Sequence, residues 1–108
     1  MQVQVSTDNH IPGDERLSEY AQTVIGDSLA RFQDRVTRVD VHLSDEIGTN
    51  KRADDDKRCS LEAHVAGHQP VAVTHHAANV RDSITGASHK LQRVLTDIVE
   101  KELDKRRG

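Results

Sequence analysis

The last thirty residues, from Ala78 to Arg107, constrain the fold of this chain more than any other stretch. Ile84, Ala87, Leu91, Val94, Leu95, Ile98 and Leu103 recur at steps of three and four, the spacing that aligns side chains on one face of a 3.6-residue helix. Asn79 stands in the N-cap position, and Asp82, three residues on, takes the place of the usual Glu or Gln of a capping box. A helix of about 27 residues is roughly 40 Å long, so its apolar face needs a broad support. A sheet of several strands supplies one. The opposite face carries Lys90, Arg93 and Lys101, and Lys105, Arg106 and Arg107 follow at the end.

The preceding residues provide that sheet. Val3 and Val5 alternate with polar neighbours in a short strand that breaks at Thr7-Asp8-Asn9, and Pro12-Gly13 marks a turn. From Asp14 the period changes to that of a helix, with Leu17, Tyr20, Ala21, Val24, Ser28 and Phe32 in a stripe that Ile25 and Leu29 widen. Gly26 inside this helix costs roughly 1 kcal/mol relative to Ala, so it calls for close packing or tertiary support. Val36 to Ser44 alternates again, placing Val39, Val41 and Leu43 inward and Arg38, Asp40, His42 and Ser44 outward. A polar loop from Asp45 to Asp56 follows, long for a hairpin and therefore a candidate functional segment. Cys59, Leu61, Ala63 and Val65 form the next inward set, Gly67 to Pro70 a turn, and Val71 with Val73 the start of a fourth strand. The order β-α-β-β-β-α predicts an α+β fold: a four-stranded mixed sheet with two helices packed on one face. A right-handed parallel crossover should open it and an antiparallel meander complete it. At 108 residues the chain reads as a single domain, 1–108.

Composition narrows the function. Tyr20 and Phe32 are the only aromatics, so platforms for stacking bases are nearly absent. The net charge of −3 conceals an asymmetry: residues 1–77 hold eight Lys/Arg against thirteen Asp/Glu, or −5, and residues 78–108 hold seven against five, or +2. Cys59 has no second cysteine to pair with and lies on the inward side of its strand, as a buried structural thiol. The N-terminus lacks the apolar run of a signal peptide, and no stretch has the ~18 apolar residues of a membrane span, which predicts a cytoplasmic protein without a membrane partner. No nucleotide-binding glycine loop and no nucleophile with an adjacent base occur, so neither an enzyme nor a small-molecule substrate or cofactor is expected. Asp54-Asp55-Asp56 lacks the spacing of a calcium loop. Of the seven histidines, His42 and His64 fall outward by alternation, and His75 or His76 can join them. Their spacing matches no metal signature, so no metal is assigned and they read as polar surface.

The order of elements, the strand Val39-Asp40-Val41-His42-Leu43-Ser44-Asp45-Glu46 and the string from Asn79 to Leu95 resemble the ribosome hibernation-promoting factor and ribosome-associated inhibitor A family, also called the sigma-54 modulation protein family. In that family the last helix opens with an acidic cap, passes through an Ala-Ile-Asp-like segment and reads Asp-Lys-Leu-Glu-Arg-Gln-Leu. Here the corresponding residues are Asn79, then Ser83-Ile84-Thr85, then His89-Lys90-Leu91-Gln92-Arg93-Val94-Leu95. The resemblance covers essentially the whole chain and fits the short form without a C-terminal dimerisation domain. It implies a bacterial, cytoplasmic stress protein that binds ribosomal RNA of the small subunit (16S-type) in the channel of messenger and transfer RNA and silences translation. Lys90 and Arg93 match the family's basic pair, and Arg31 and Arg35 sit where the end of the first helix is often basic. Where family members continue with several lysines, this chain has Thr96-Asp97-Ile98-Val99-Glu100.

Lys and Arg on one helix face neutralise phosphates without reading bases, which suits double-helical RNA and a protein poor in aromatics. The expected RNA-binding residues are therefore Lys90, Arg93, Lys101, Arg31, Arg35, Lys105, Arg106 and Arg107. An ordinary solvated face is the competing expectation, with Asp97 placed to pair with Lys101 and Glu102 with Arg106 at i,i+4. Two other functions compete: a regulatory or protein-interaction module of the same fold, and a histidine-based metal-binding protein.

Overall fold

The computed structural model describes residues 1–8, 11–46 and 56–107, with side chains as far as Lys105. Strand β1 (Gln2–Thr7) leads into helix α1 (Glu15–Ser28), followed by β2 (Val36–Asp45), β3 (Lys57–Val65), β4 (Val71–Ala77) and helix α2 (Val80–Arg107). The sheet order is β1-β2-β3-β4, with β1 parallel to β2 and the other neighbours antiparallel. This is the expected β-α-β-β-β-α arrangement. Most of the predicted loop between Asp45 and Asp56, including Asp54 and Asp55, lies outside the described residues, as does Asn9.

Register explains the core. Val3, Val39, Ala63 and Val71 stand side by side across the four strands, and so do Val5, Val41, Leu61 and Val73. Direct cross-strand partners share a face, so these rows make one continuous apolar surface. Ala21, Ile25, Leu29 and Phe32 cover it from the α1 side, and Ile84, Ala87, Leu91 and Leu95 from α2, all buried. At α2's start the buried face is small: Ser83 and Ser88 are fully buried and donate their hydroxyls to the carbonyls of Val80 and Ile84. Satisfied in this way, they cost little to bury and let the helix lie close to the sheet.

Both helix starts follow the sequence. Asp14 Oδ1 accepts from Leu17 N at 2.8 Å, and Asn79 Oδ1 accepts from Asp82 N at 2.8 Å. Asp82 returns the contact, but it accepts from the Asn79 side-chain amide at 2.9 Å rather than from backbone, because the shorter Asp replaces Glu. The end of α1 departs from expectation. The stripe to Phe32 predicts one continuous helix, whereas α1 stops at Ser28 and Ala30–Phe32 is a 3-10 turn. The apolar spacing survives the change because Leu29 and Phe32 still face the core.

The two central glycines differ. A side chain at Gly26 would meet nothing within 4 Å, so no close packing requires glycine there. A Cβ on Gly86 would fall inside the His75 imidazole, 2.7 Å from its Cγ. His75 faces Cys59 across the strands and therefore points inward, under α2. This settles the alternative left by the sequence: His76, not His75, shares the outer face with His42 and His64. Cys59 is fully buried, and burial pushes its thiol up to about 12, so it stays protonated and inert.

Candidate nucleic-acid interface

Helices α1 and α2 lie side by side with their N-termini together. Tyr20 Oη and Thr85 Oγ1 are 3.0 Å apart across the seam, and the Arg81 guanidinium sits 4.8 Å from the centre of the Tyr20 ring. This parallel arrangement puts two pairs of arginines along one crevice. At its N-terminal end Arg16 and Arg81 line a shallow depression with Ile11, Pro12 and Asp14. At the far end of α1, Arg31 and Arg93 line another with Gln92, Thr96 and Asp97. Twelve residues of α2 separate Arg81 from Arg93, about 18 Å along the helix. Arg31 is held against the Phe32 ring at 5.3 Å, which fixes the stem of an exposed cation.

The structure sorts the expected RNA-binding residues into groups. Arg93 and Arg31 are exposed and share one depression. Lys90 is about 60° round the helix from Arg93, on the β4 side. There its Nζ donates to the Thr74 carbonyl at 2.9 Å. That bond caps an edge-strand carbonyl and leaves the ammonium two further donors. Arg35 pairs with Glu102, tying the segment after α1 to the last turns of α2. Lys101 and Lys105 are exposed and carry no ion pair among the described residues, so the expected Asp97–Lys101 pair does not form. The side chains of Arg106 and Arg107, and hence the Glu102–Arg106 pair, lie outside the described residues.

The exposed crest of α2 is mixed. Lys90, Arg93, Lys101 and Lys105 alternate with Asp97, Glu100 and Asp104, four cations against three carboxylates. The seam between the helices carries four arginines with two carboxylates, Asp14 and Asp97, and of these arginines Arg16 and Arg81 are absent from the residues expected from sequence. Their signal was present: each lies just inside a helix N-cap, at Asp14 and Asn79. What sequence lacked was the parallel packing that makes two helix starts neighbours.

The outer face of the sheet is mostly polar, with Ala72 its apolar exception in the row of Asp40 and Glu62. At the strand ends on the helix-side face, where Lys57 stands level with Asp45 and the buried Ala77, Lys57 bonds Asp56 at 2.8 Å and approaches Asp45 to 3.2 Å, which raises the ammonium pKa and lowers that of Asp56. Arg58 and His76 both approach Glu46, at 3.6 and 3.3 Å. Among the described residues no helix is long and apolar enough to cross a membrane.

Comparison with known proteins gives the fold its relatives. A ribosomal subunit interface protein from Coxiella burnetii superposes with a TM-score of 0.70 at 13% identity, covering 93% of this chain and 99% of that one. The N-terminal domain of Protein Y from Thermus thermophilus superposes with a TM-score of 0.67 at 16% identity, covering 90% and 94%. At such identities the likeness concerns the fold. No curated protein matches the sequence. The family model described as Sigma 54 modulation protein / S30EA ribosomal protein matches residues 3–103, nearly the full 108. The chain therefore belongs to the sigma-54 modulation protein / S30EA ribosomal protein family, a family of ribosome-associated factors.

Proposed function

We propose that this protein silences translation by binding the small ribosomal subunit near the decoding region, in the bacterial cytoplasm, where it excludes messenger and transfer RNA. It acts by occupancy and carries out no chemistry. Family membership supports the partner, and the arginine-lined seam between α1 and α2 is the observation that carries the interface. Arg16 with Arg81 and Arg31 with Arg93 form two pairs of cations about 18 Å apart along α2, suited to phosphates on a folded RNA rather than to base edges. Lys90, Lys101 and Lys105 extend the positive surface along α2, and Arg35 braces it through Glu102.

The reading is tested by measuring the affinity for purified small subunits across a salt series for wild type and Arg31→Ala/Arg93→Ala. The double variant should bind more weakly and lose up to about two phosphate contacts' worth of salt slope. Unchanged affinity and slope would remove the seam from the interface. The carboxylates Asp97, Glu100 and Asp104 on the crest favour one second reading, a protein partner bound through mixed charges. Binding that persists at high salt would select it.

A further inference from the structure

On the outer face of the sheet, away from both helices, β2 and β3 bring together three side chains that the sequence keeps apart. Asp40 stands directly across from Glu62, and His64 follows two residues later on the same face, opposite Arg38. His64 Nε2 lies 3.1 Å from Asp40 Oδ2 and 3.2 Å from Glu62 Oε1. One ring nitrogen and one oxygen from each carboxylate all lie within 4.8 Å of one another. The histidines expected to meet on this face do not form this group: only His64 belongs to it, and its partners are carboxylates.

Protons alone do not satisfy the arrangement. His64 Nε2 is also 3.1 Å from Arg38 Nη2. A neutral imidazole nitrogen either donates or accepts. If Nε2 carries the proton it opposes the Arg38 N–H; if it does not, its lone pair opposes two carboxylate oxygens. Arg38 is itself a poor occupant, because its buried Nε makes no hydrogen bond although Asp40 Oδ1 is 3.1 Å away. The guanidinium fills the place of a cation without matching the geometry, and its side chain is 42% exposed, free to swing into solvent.

We propose that Asp40, Glu62 and His64 form a divalent transition-metal site, taking Zn²⁺ or an ion of similar preference, and that Arg38 competes with the ion for it. One imidazole nitrogen and two carboxylate oxygens are donors that Zn²⁺ accepts, and three protein ligands leave positions for water or for a partner's oxygen. A doubly charged ion neutralises both carboxylates and uses the Nε2 lone pair, which ends the conflict at His64. Carried by two paired strands, the site is held rigidly enough to keep its shape when empty.

The experiment is calorimetric titration of ZnCl₂ into the full chain as wild type, His64→Ala, Glu62→Gln and Arg38→Ala, each checked for folding by circular dichroism. Other histidines bind Zn²⁺ weakly in every variant, so the differences between proteins are what is read. Wild type should bind one equivalent, His64→Ala and Glu62→Gln should bind at least about tenfold more weakly, and Arg38→Ala should bind more tightly. Equal Zn²⁺ affinity in wild type and His64→Ala would put the ion on other residues and overturn the site. A loss in Arg38→Ala as large as that in His64→Ala would overturn the competition and make Arg38 part of the frame. Ribosome binding does not enter the readout, so the result stands apart from the proposed function.

Discussion

The first four turns of α2 and its last three belong to one helix but to different physical regimes. From Val80 to Leu95 the helix buries Ser83, Ile84, Ala87, Ser88, Leu91 and Leu95, and Gly86 lets His75 of the sheet fit beneath it. Beyond Leu95 none of the described residues is buried, Ile98 and Val99 are half-covered, and Leu103 is 47% exposed. The apolar period continues through both halves; what ends is the sheet. Periodicity reports which face a helix would bury, and the width of the support decides how much of that face is buried. Cations on the first half are partly engaged, as Lys90 is by Thr74, whereas Lys101 and Lys105 on the second half stay unpaired among the described residues.

The same substitution should have unequal effects on the two halves. Leu91→Ala removes a fully buried side chain and should cost about 2–5 kcal/mol in denaturant unfolding. Leu103→Ala should stay within about 0.5 kcal/mol of wild type. Similar costs at both sites would mean that the overhang is packed. The next effect in size is at the close contact. Gly86→Ala forces the His75 ring to move and should destabilise by about 1–3 kcal/mol. A neutral result would show that the helix can lift from the sheet there without loss. At Gly26 the effect should have the opposite sign: with open space around it, Gly26→Ala should raise stability by up to about 1 kcal/mol. Smallest of all, Lys101→Ala with Lys105→Ala should leave the unfolding midpoint within about 0.5 kcal/mol of wild type while weakening any phosphate-dependent binding.

Much of the fold was legible because its elements obey simple periods. Val39-Asp40-Val41-His42-Leu43 alternates cleanly, the two N-caps are Asp and Asn, and the apolar face of α2 is marked from Ile84 onward. The place of His75 was legible as well, since Val71, Val73, His75 and Ala77 share one parity. The 3-10 turn at Ala30–Phe32 was not legible, because a helix and a 3-10 turn place Leu29 and Phe32 on the same side. Of the candidate interface, sequence supplied Arg31 and Arg93 but could not show that they meet, nor that Glu102 occupies Arg35 across 67 residues. Such pairings depend on how α1 lies against α2. Likewise Asp40, Glu62 and His64 become neighbours only once the β2–β3 register is fixed.

In the proposed function the helix side of this chain occupies the small ribosomal subunit. Cosedimentation of the purified protein with separated subunits and whole ribosomes, at low and raised salt and with messenger and transfer RNA as competitors, tests it most directly. Comigration with the small subunit that declines with salt and is lost to the competing RNAs is the expected result. Absence from every ribosomal fraction at low salt would contradict it, leaving the fold and family intact and the function elsewhere.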